Sequence, residues 1–222
     1  MSIRGSLLYL AVCTRPDILS ALHPLTSHMH ACRRILRYLR GTPTLGITFH
    51  TPTTTTVPTL HAYVDASYNS TAAYKSPHGV CICLGHPAAA FHSFVRRQTL
   101  TTRSTTEAEY VALADAVAEL IWLRRLITAL GFPPIQPTII YEDNKSTITM
   151  ANSTQMGKRT RHISTRHHFI LDNIMTRVVT LHHCSTKDMV ADILTKPLPG
   201  PAFLLLRSQL LGEPSSSTSS NL

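Results

Sequence analysis

Four acidic residues, Asp65, Glu109, Asp143 and Asp192, stand at positions that local structure explains poorly. Asp65 interrupts His61-Ala62-Tyr63-Val64-Asp65-Ala66, a stretch that otherwise reads as a strand, and Asp is a poor strand former. By alternation it shares a face with Tyr63, while Ala62, Val64 and Ala66 take the other. Glu109 precedes Ala112, Leu113, Ala116 and Leu120 by 3, 4, 7 and 11 residues, which puts it on the apolar face of a long helix. Its near neighbour Glu107 is about 200° away around that helix and cannot share its task. Ser104-x-x-Glu107 has the form of a capping box, which gives Glu107 a local role. Asp143 ends the strand-like Thr138-Ile139-Ile140-Tyr141-Glu142 and opens a helix. Asp192 lies four residues after Asp188 in what reads as one last helix, and Asp188, in the first turn, has the better electrostatic excuse. Each acid also has a plain structural reading: an edge or turn aspartate for Asp65, a Thr106-x-x-Glu109 capping box, an N-cap for Asp143, and a solvated face for Asp192.

Taken together, the four acids suggest chemistry. Three carboxylates on neighbouring elements of one sheet and a fourth on a closing helix repel one another unless cations bind. All-oxygen donors suit Mg²⁺ or Mn²⁺ rather than zinc. Two such ions, about 3.5–4 Å apart, are the apparatus of phosphodiester hydrolysis, activating water on one side and stabilising the leaving oxygen on the other. The acids are scarce in a basic chain: Lys and Arg number 21 against 12 Asp and Glu, for a net charge of +9 and a pI near 9.7. That balance favours a polyanionic partner. Arg96, Arg97, Lys158, Arg159, Arg161 and Arg166 form basic patches suited to phosphates, or else a merely solvated face. His162, His167, His168, His182, His183 and Cys184 match no standard zinc spacing. Cys81 and Cys83 alternate with apolar residues and read as core, as does Trp122 on the long helix.

The elements that must position these acids form an alternating pattern. Strands are expected over 60–68, 79–84 and 88–95, a long helix over 105–130, a strand over 138–142, helices over 144–151 and 160–177, a strand over 178–183 and a helix over 187–195. That is an α/β chain with a mixed five-stranded sheet and flanking helices. Upstream, helical pieces are expected around 16–25 and 31–40, the second carrying Arg33, Arg34, Arg37 and Arg40 and stopping at Gly41 and Pro43. The Thr/Pro-rich residues 51–59 read as a linker. The expected division is therefore a helical piece over 1–50, the linker over 51–59, the α/β domain over 60–211 and a Ser-rich, disordered tail over 212–222. With 222 residues, 43% hydrophobic and a mean hydropathy of +0.04, the chain is not a wholly disordered one. Charged residues are 15%, with Thr, Ser and His filling polar positions. Five cysteines without a CxxC pair fit a reducing compartment. Ser6 to Cys13 lacks the cleavage site of a signal peptide, and no apolar run is long enough to span a membrane.

At these same residues the sequence resembles the ribonuclease H region that ends the Pol polyprotein of Ty1/copia-type retrotransposons. The stretches that carry the resemblance are Tyr63-Val64-Asp65-Ala66-Ser67, Ser104-Thr105-Thr106-Glu107-Ala108-Glu109-Tyr110-Val111-Ala112-Leu113, Trp122-Leu123-Arg124, Tyr141-Glu142-Asp143-Asn144, Thr160-Arg161-His162-Ile163 and Val190-Ala191-Asp192-Ile193-Leu194-Thr195-Lys196-Pro197-Leu198. Upstream, Gly5 to Leu10, Thr14-Arg15-Pro16-Asp17-Ile18 and Arg34 to Leu39 are similar to the segment joining that region to the family's reverse transcriptase, so residues 1–50 would be a truncated piece of that connection. The resemblance implies a ribonuclease H-like fold, catalytic and metal-binding roles for Asp65, Glu109, Asp143 and Asp192, and two Mg²⁺ or Mn²⁺ ions. It implies hydrolysis of the RNA strand of an RNA–DNA hybrid, with a reverse transcriptase encoded elsewhere as partner, and neither a membrane nor a small-molecule substrate. A cytoplasmic, virus-like-particle or nuclear setting would follow. The family's polymerase motifs are absent, and about ten residues usual before Ala31 are missing. The turn Lys75-Ser76-Pro77-His78-Gly79 and the strand through His182-His183-Cys184 also depart from the pattern. The alternative reading is therefore an inactive remnant that binds nucleic acid through its basic patches.

Overall fold

The computed structural model describes residues 3–22, 29–50, 59–68, 76–85, 89–99, 102, 104–155 and 163–213. Most of the linker and the Ser-rich tail from 214 onward lie outside them, as do Lys75, Lys158, Arg159, Arg161 and His162.

Five strands, β1 (Leu60–Ala66), β2 (Pro77–Leu84), β3 (Ala89–Arg97), β4 (Thr138–Glu142) and β5 (Val179–His183), form one sheet in the order β3-β2-β1-β4-β5. The first three pair antiparallel, and β4 and β5 join parallel. Connection length explains the change of sense, because a parallel partner needs a crossover element and a short connection cannot supply one. The long helix α4 (Thr105–Ala129) intervenes before β4, and α5 (Lys145–Ala151) and α6 (Ser164–Met175) before β5. The mixed five-stranded sheet with flanking helices expected from the sequence is thus the observed architecture. One result governs the site: β1 and β4 run parallel side by side, so their carboxyl ends, with Asp65 and Asp143, reach the same edge.

Each face of the sheet carries its own core. On one, Ala62, Val64, Ala66, Ile82 and Ile140 meet Ala108, Ala112, Leu113, Ala116 and Leu120 of α4. The small residues let the helix lie close to the strands. Trp122, expected in this core, is 55% exposed. It sits two residues from the buried Leu120, about 200° around the helix, and so faces away from the sheet. Cys81 and Cys83 are buried in the core of the opposite face.

That second face is covered by α1 (Ile3–Cys13), α2 (Leu19–Leu22), α3 (Met29–Gly41), α7 (Asp192–Thr195) and α8 (Gly200–Leu211). Leu7, Ala11, Ile18, Leu19, Leu22 and Ile35 share one apolar cluster with Cys81, Cys83, Ala90, Ile193, Leu194 and Leu210. The helices α1 to α3 are therefore packed on the sheet. A buried polar knot fixes them: Arg15 donates to both carboxylate oxygens of Asp17 at 3.0 and 2.8 Å, Tyr38 donates to Asp17 at 2.6 Å, and Arg15 reaches Thr42 at 2.9 Å. The chain then runs along α8, where Thr48 N–H donates to the Leu211 carbonyl at 2.8 Å. Gly212 ends α8 with φ +70, and a Cβ there would collide with the Thr48 carbonyl oxygen.

The helices α1 and α8 are not among the expected elements, and two further segments take a different form. The helix expected over 187–195 is a 3₁₀ turn (Thr186–Asp188) followed, after extended Met189, by the short α7. Asp188 and Asp192 are accordingly not on one helix. Pro77 to Gly79 open β2 rather than forming a turn, and the buried His78 pairs with Asp115 of α4 at 3.1 Å. Proline is tolerated there because the first residue of a strand need not donate to the ladder.

Candidate active site

Asp65 is 1% exposed near the end of β1. Opposite it on β2 stands Gly79, where a Cβ would come within 2.6 Å of Leu194 Cβ. The missing side chain lets α7 lie directly on the sheet, which brings Asp192 and its successors to Asp65. Lys196 Nζ bridges the two acids, donating to Asp65 at 3.0 Å and to Asp192 at 2.7 Å. The Thr195 hydroxyl donates to the second oxygen of Asp65.

Glu109 enters from α4. Ser104 caps this helix by accepting from the Glu107 N–H at 3.2 Å, which fixes where the helix begins and hence which way Glu109 points. Asp143 follows β4. It is not an N-cap: that role belongs to Asn144, whose side chain accepts from the N–H groups of Ser146 and Thr147 at 3.0 and 3.3 Å. Asp143 is left free of capping and accepts from the Thr186 hydroxyl at 3.0 Å.

Carboxylate oxygens of Asp65, Glu109 and Asp143 all lie within 4.8 Å of one another. Asp192 is joined to this group through Lys196, and Glu107 is not part of it. The electrostatics follow from crowding under burial. Glu109 is pushed up to about 11, first by desolvation and then by Asp65, Glu142 and Asp143. Asp192 is raised to about 6 by burial and Asp65, against the pull of Lys196. Glu109 Oε2 is buried without a hydrogen-bond partner among the described residues.

A fifth carboxylate, Glu142, was absent from the sequence reading. It is fully buried, accepts from the Asn144 N–H at 3.1 Å, and is raised to about 8, chiefly by burial. Its signal lay in β4 itself, where Thr138, Ile140 and Glu142 alternate onto one buried face.

The donor set fits a hard divalent cation. Three convergent carboxylates, one with an orphaned buried oxygen, supply negative charge that the protein neutralises only in part through Lys196. The basic positions are dispersed by comparison. Arg96 pairs with Glu119 at 3.5 Å and lies over the Phe94 ring, and with Arg166 it also acts on Asp115. Arg97 is exposed at the end of β3. Lys158, Arg159 and Arg161 fall outside the described residues. His167 bonds to the Tyr110 hydroxyl at 2.8 Å, as a core partner rather than a metal ligand.

No family model matches the chain. It is 39% identical over 210 residues, 90% of its length, to the retrovirus-related Pol polyprotein from transposon RE2 of Arabidopsis thaliana. It is 34% identical over 94% of its length to that from transposon TNT 1-94 of Nicotiana tabacum. A third relative, the Ty1-NL2 Gag-Pol polyprotein of Saccharomyces cerevisiae, is 34% identical over 68% of the chain. The chain spans 14%, 16% and 8% of these relatives' own lengths. Among solved structures, LC11-RNase H1 in complex with an RNA/DNA hybrid aligns with 61% of this chain and 92% of its own at 16% identity, TM-score 0.47. The N-terminal RNase H domain of Rv2228c from Mycobacterium tuberculosis aligns with 68% and 96% at 10% identity, TM-score 0.48.

Proposed function

The chain is a segment homologous to the Pol polyproteins of Ty1/copia-type retrotransposons, and from that premise we propose that it is their ribonuclease H-type nuclease, hydrolysing the RNA strand of RNA–DNA hybrids with two divalent ions. The observation that carries the reading is the convergence of Asp65, Glu109 and Asp143 within 4.8 Å at the carboxyl edge of the sheet.

Asp65, Glu109 and Asp143 would hold one ion, and Asp65 and Asp192 would serve the second once Lys196 yields its place between them. Such ions supply activation of water and stabilisation of the leaving 3′-oxygen. The chain's own residues do the rest. Burial of Asp65, Glu109 and Asp192 keeps bulk water from screening their charge. Thr195 and Lys196 hold the Asp65 carboxylate in one orientation, and Thr186 does the same for Asp143. Glu142, bonded to the Asn144 N–H, keeps the turn after β4 in shape. Hybrid is favoured as substrate because its 2′-hydroxyls, displayed in a wide shallow groove, distinguish it from DNA.

A labelled RNA–DNA hybrid incubated with the full chain and Mg²⁺ tests this. Internal cuts in the RNA strand, lost with a chelator and with Asp65→Asn, are expected. Salt-dependent binding of the hybrid with no cleavage at any Mg²⁺ or Mn²⁺ concentration would mark an inactive remnant instead.

A further inference from the structure

We propose that α3 is a second nucleic-acid-facing surface, a stripe of arginines that tracks the phosphate backbone of the hybrid away from the carboxylate site. The inference rests on the hybrid reading above and extends it to a part of the chain that the basic patches on β3 and α6 do not include.

The helix carries Arg33, Arg34, Arg37 and Arg40, all exposed, and no acidic residue. Among the described residues the arginine ion pairs involve Arg15, Arg96 and Arg207, and none of the four is paired with an acid there. At about 100° per residue, Arg33, Arg37 and Arg40 fall within an arc of about 60°, with Arg34 about 60° to its side. From Arg33 to Arg40 the helix rises about 10 Å. Over that distance one strand of a duplex presents about three phosphates, which matches three guanidinium groups on a line. Guanidinium also suits phosphate geometrically, since its planar fork donates to two oxygens at once.

The opposite face of α3 decides between a polyanion and a membrane. Basic amphipathic helices bind lipid by burying an apolar face in the bilayer. Here that face is already used: Ile35 is buried in the cluster that also holds Ile193 and Leu194 of α7, Tyr38 donates to Asp17, and its ring packs edge-on against Phe203 at 6.0 Å. The apolar side cannot enter lipid without unpacking the protein. The same anchoring fixes the stripe to the layer that carries Asp192, so a bound backbone would be held relative to the cleavage site. Arg96 and Arg166 lack this freedom because Glu119 and Asp115 already draw on them.

The test is the salt dependence of binding by the full chain to a labelled hybrid of a few helical turns, in chelator so that no cleavage intervenes. Each phosphate contact contributes about 0.9 to the slope of log affinity against log salt. The variant Arg33→Gln/Arg37→Gln/Arg40→Gln should flatten that slope by about 2 to 3 units and weaken binding about tenfold or more at low salt. Its melting transition should stay close to the unaltered one, because Arg and Gln have similar helix propensities and the replaced groups have no ion-pair partner among the described residues. The triple Arg→Lys variant should keep the slope. An unchanged slope in the Gln variant, or an equal loss in the Lys variant, would overturn the stripe while leaving the hybrid reading intact. Failure of the unaltered chain to bind hybrid at all would overturn both. Binding to vesicles containing anionic lipid but not to hybrid, lost in the Gln variant, would assign the stripe to a membrane and also overturn the proposal.

Discussion

Two regions of this molecule bury acidic side chains, and they treat them in opposite ways. In the layer built from α1 to α3, Asp17 is wholly enclosed and fully answered, with Arg15 on both oxygens and Tyr38 on one of them. At the carboxyl edge of the sheet, Glu109 is nearly as enclosed, yet its neighbours are Asp65, Glu142 and Asp143 and one of its oxygens has no partner. The first arrangement is complete within the chain and holds structure together. The second is incomplete within the chain, and Lys196 offsets only part of it. A buried acid with a cation beside it is an architectural element, whereas a buried acid among acids must hold its proton or take a cation from outside.

Breaking the first region should give the largest effect. A chain beginning at Pro58 would uncover Cys81, Cys83, Ala90, Ile193 and Leu194, which now face α1 to α3. Their burial, at about 25 cal/mol per Å², is of the same order as the roughly 5–15 kcal/mol that holds a domain of this size folded. Cooperative melting should be lost, measured by circular dichroism against the full chain. A shortened chain that melts cooperatively at a similar temperature would show that residues 60–211 fold alone, as the expected linker suggests.

Removing one partner from the knot comes next. Asp17→Asn leaves the Arg15 guanidinium buried without a counter-charge and should cost about 3 to 5 kcal/mol in denaturant unfolding. Because Asp17 belongs to the structural region, divalent-ion binding by the fraction that remains folded should not change.

In the second region the sign reverses. Glu109→Gln should stabilise the metal-free protein, since it removes a carboxylate from a crowded cluster, and should abolish Mg²⁺-dependent cleavage. Glu107→Gln, two residues away and outside the cluster, should leave cleavage near normal at a cost of a few tenths to about 1 kcal/mol in helix capping. Loss of cleavage from Glu107→Gln with activity retained in Glu109→Gln would reverse the assignment.

The same contrast was unevenly legible in the amino-acid sequence. Asp65 and Glu109 could be found because an acid inside an apolar alternation or an apolar helical stripe is locally out of place. The Glu107/Glu109 distinction needed only helix geometry. Asp143 was ambiguous because Asn144 beside it is as good a cap, and only the strand's end point decides between them. Glu142 was readable from the alternation in β4 but resembles a surface acid at a strand end. The Arg15–Asp17 knot was not readable, since what makes it structural is Tyr38 and Thr42, more than twenty residues away, and spacing carries no trace of that. The helix α8 is not among the expected elements although it lies within the expected 60–211 domain and Gly212, in the left-handed region, marks its end, because the prolines at 197 and 199 mask its start.

A smaller effect is the pH dependence. Glu109, raised from 4.5 to about 11, binds its proton more tightly folded than unfolded, so its contribution to stability is fully present at low pH and declines as pH rises from about 4.5 toward 11. Asp192, raised to about 6, and Glu142, raised to about 8, act in the same direction over the lower part of that range. The metal-free protein should therefore melt at a lower temperature at pH 9 than at pH 6. Saturating Mg²⁺ should flatten or reverse this trend, because the ion competes with protons for the same oxygens.

The measurement that tests the cation site most directly is a Mn²⁺ titration of the metal-free full chain and of Asp65→Asn, followed by both melting temperature and bound ion. The account predicts that the unaltered protein binds Mn²⁺ and melts progressively higher, and that Asp65→Asn, although folded, binds markedly less and gains little. Equal binding and equal stabilisation in the two proteins would contradict it.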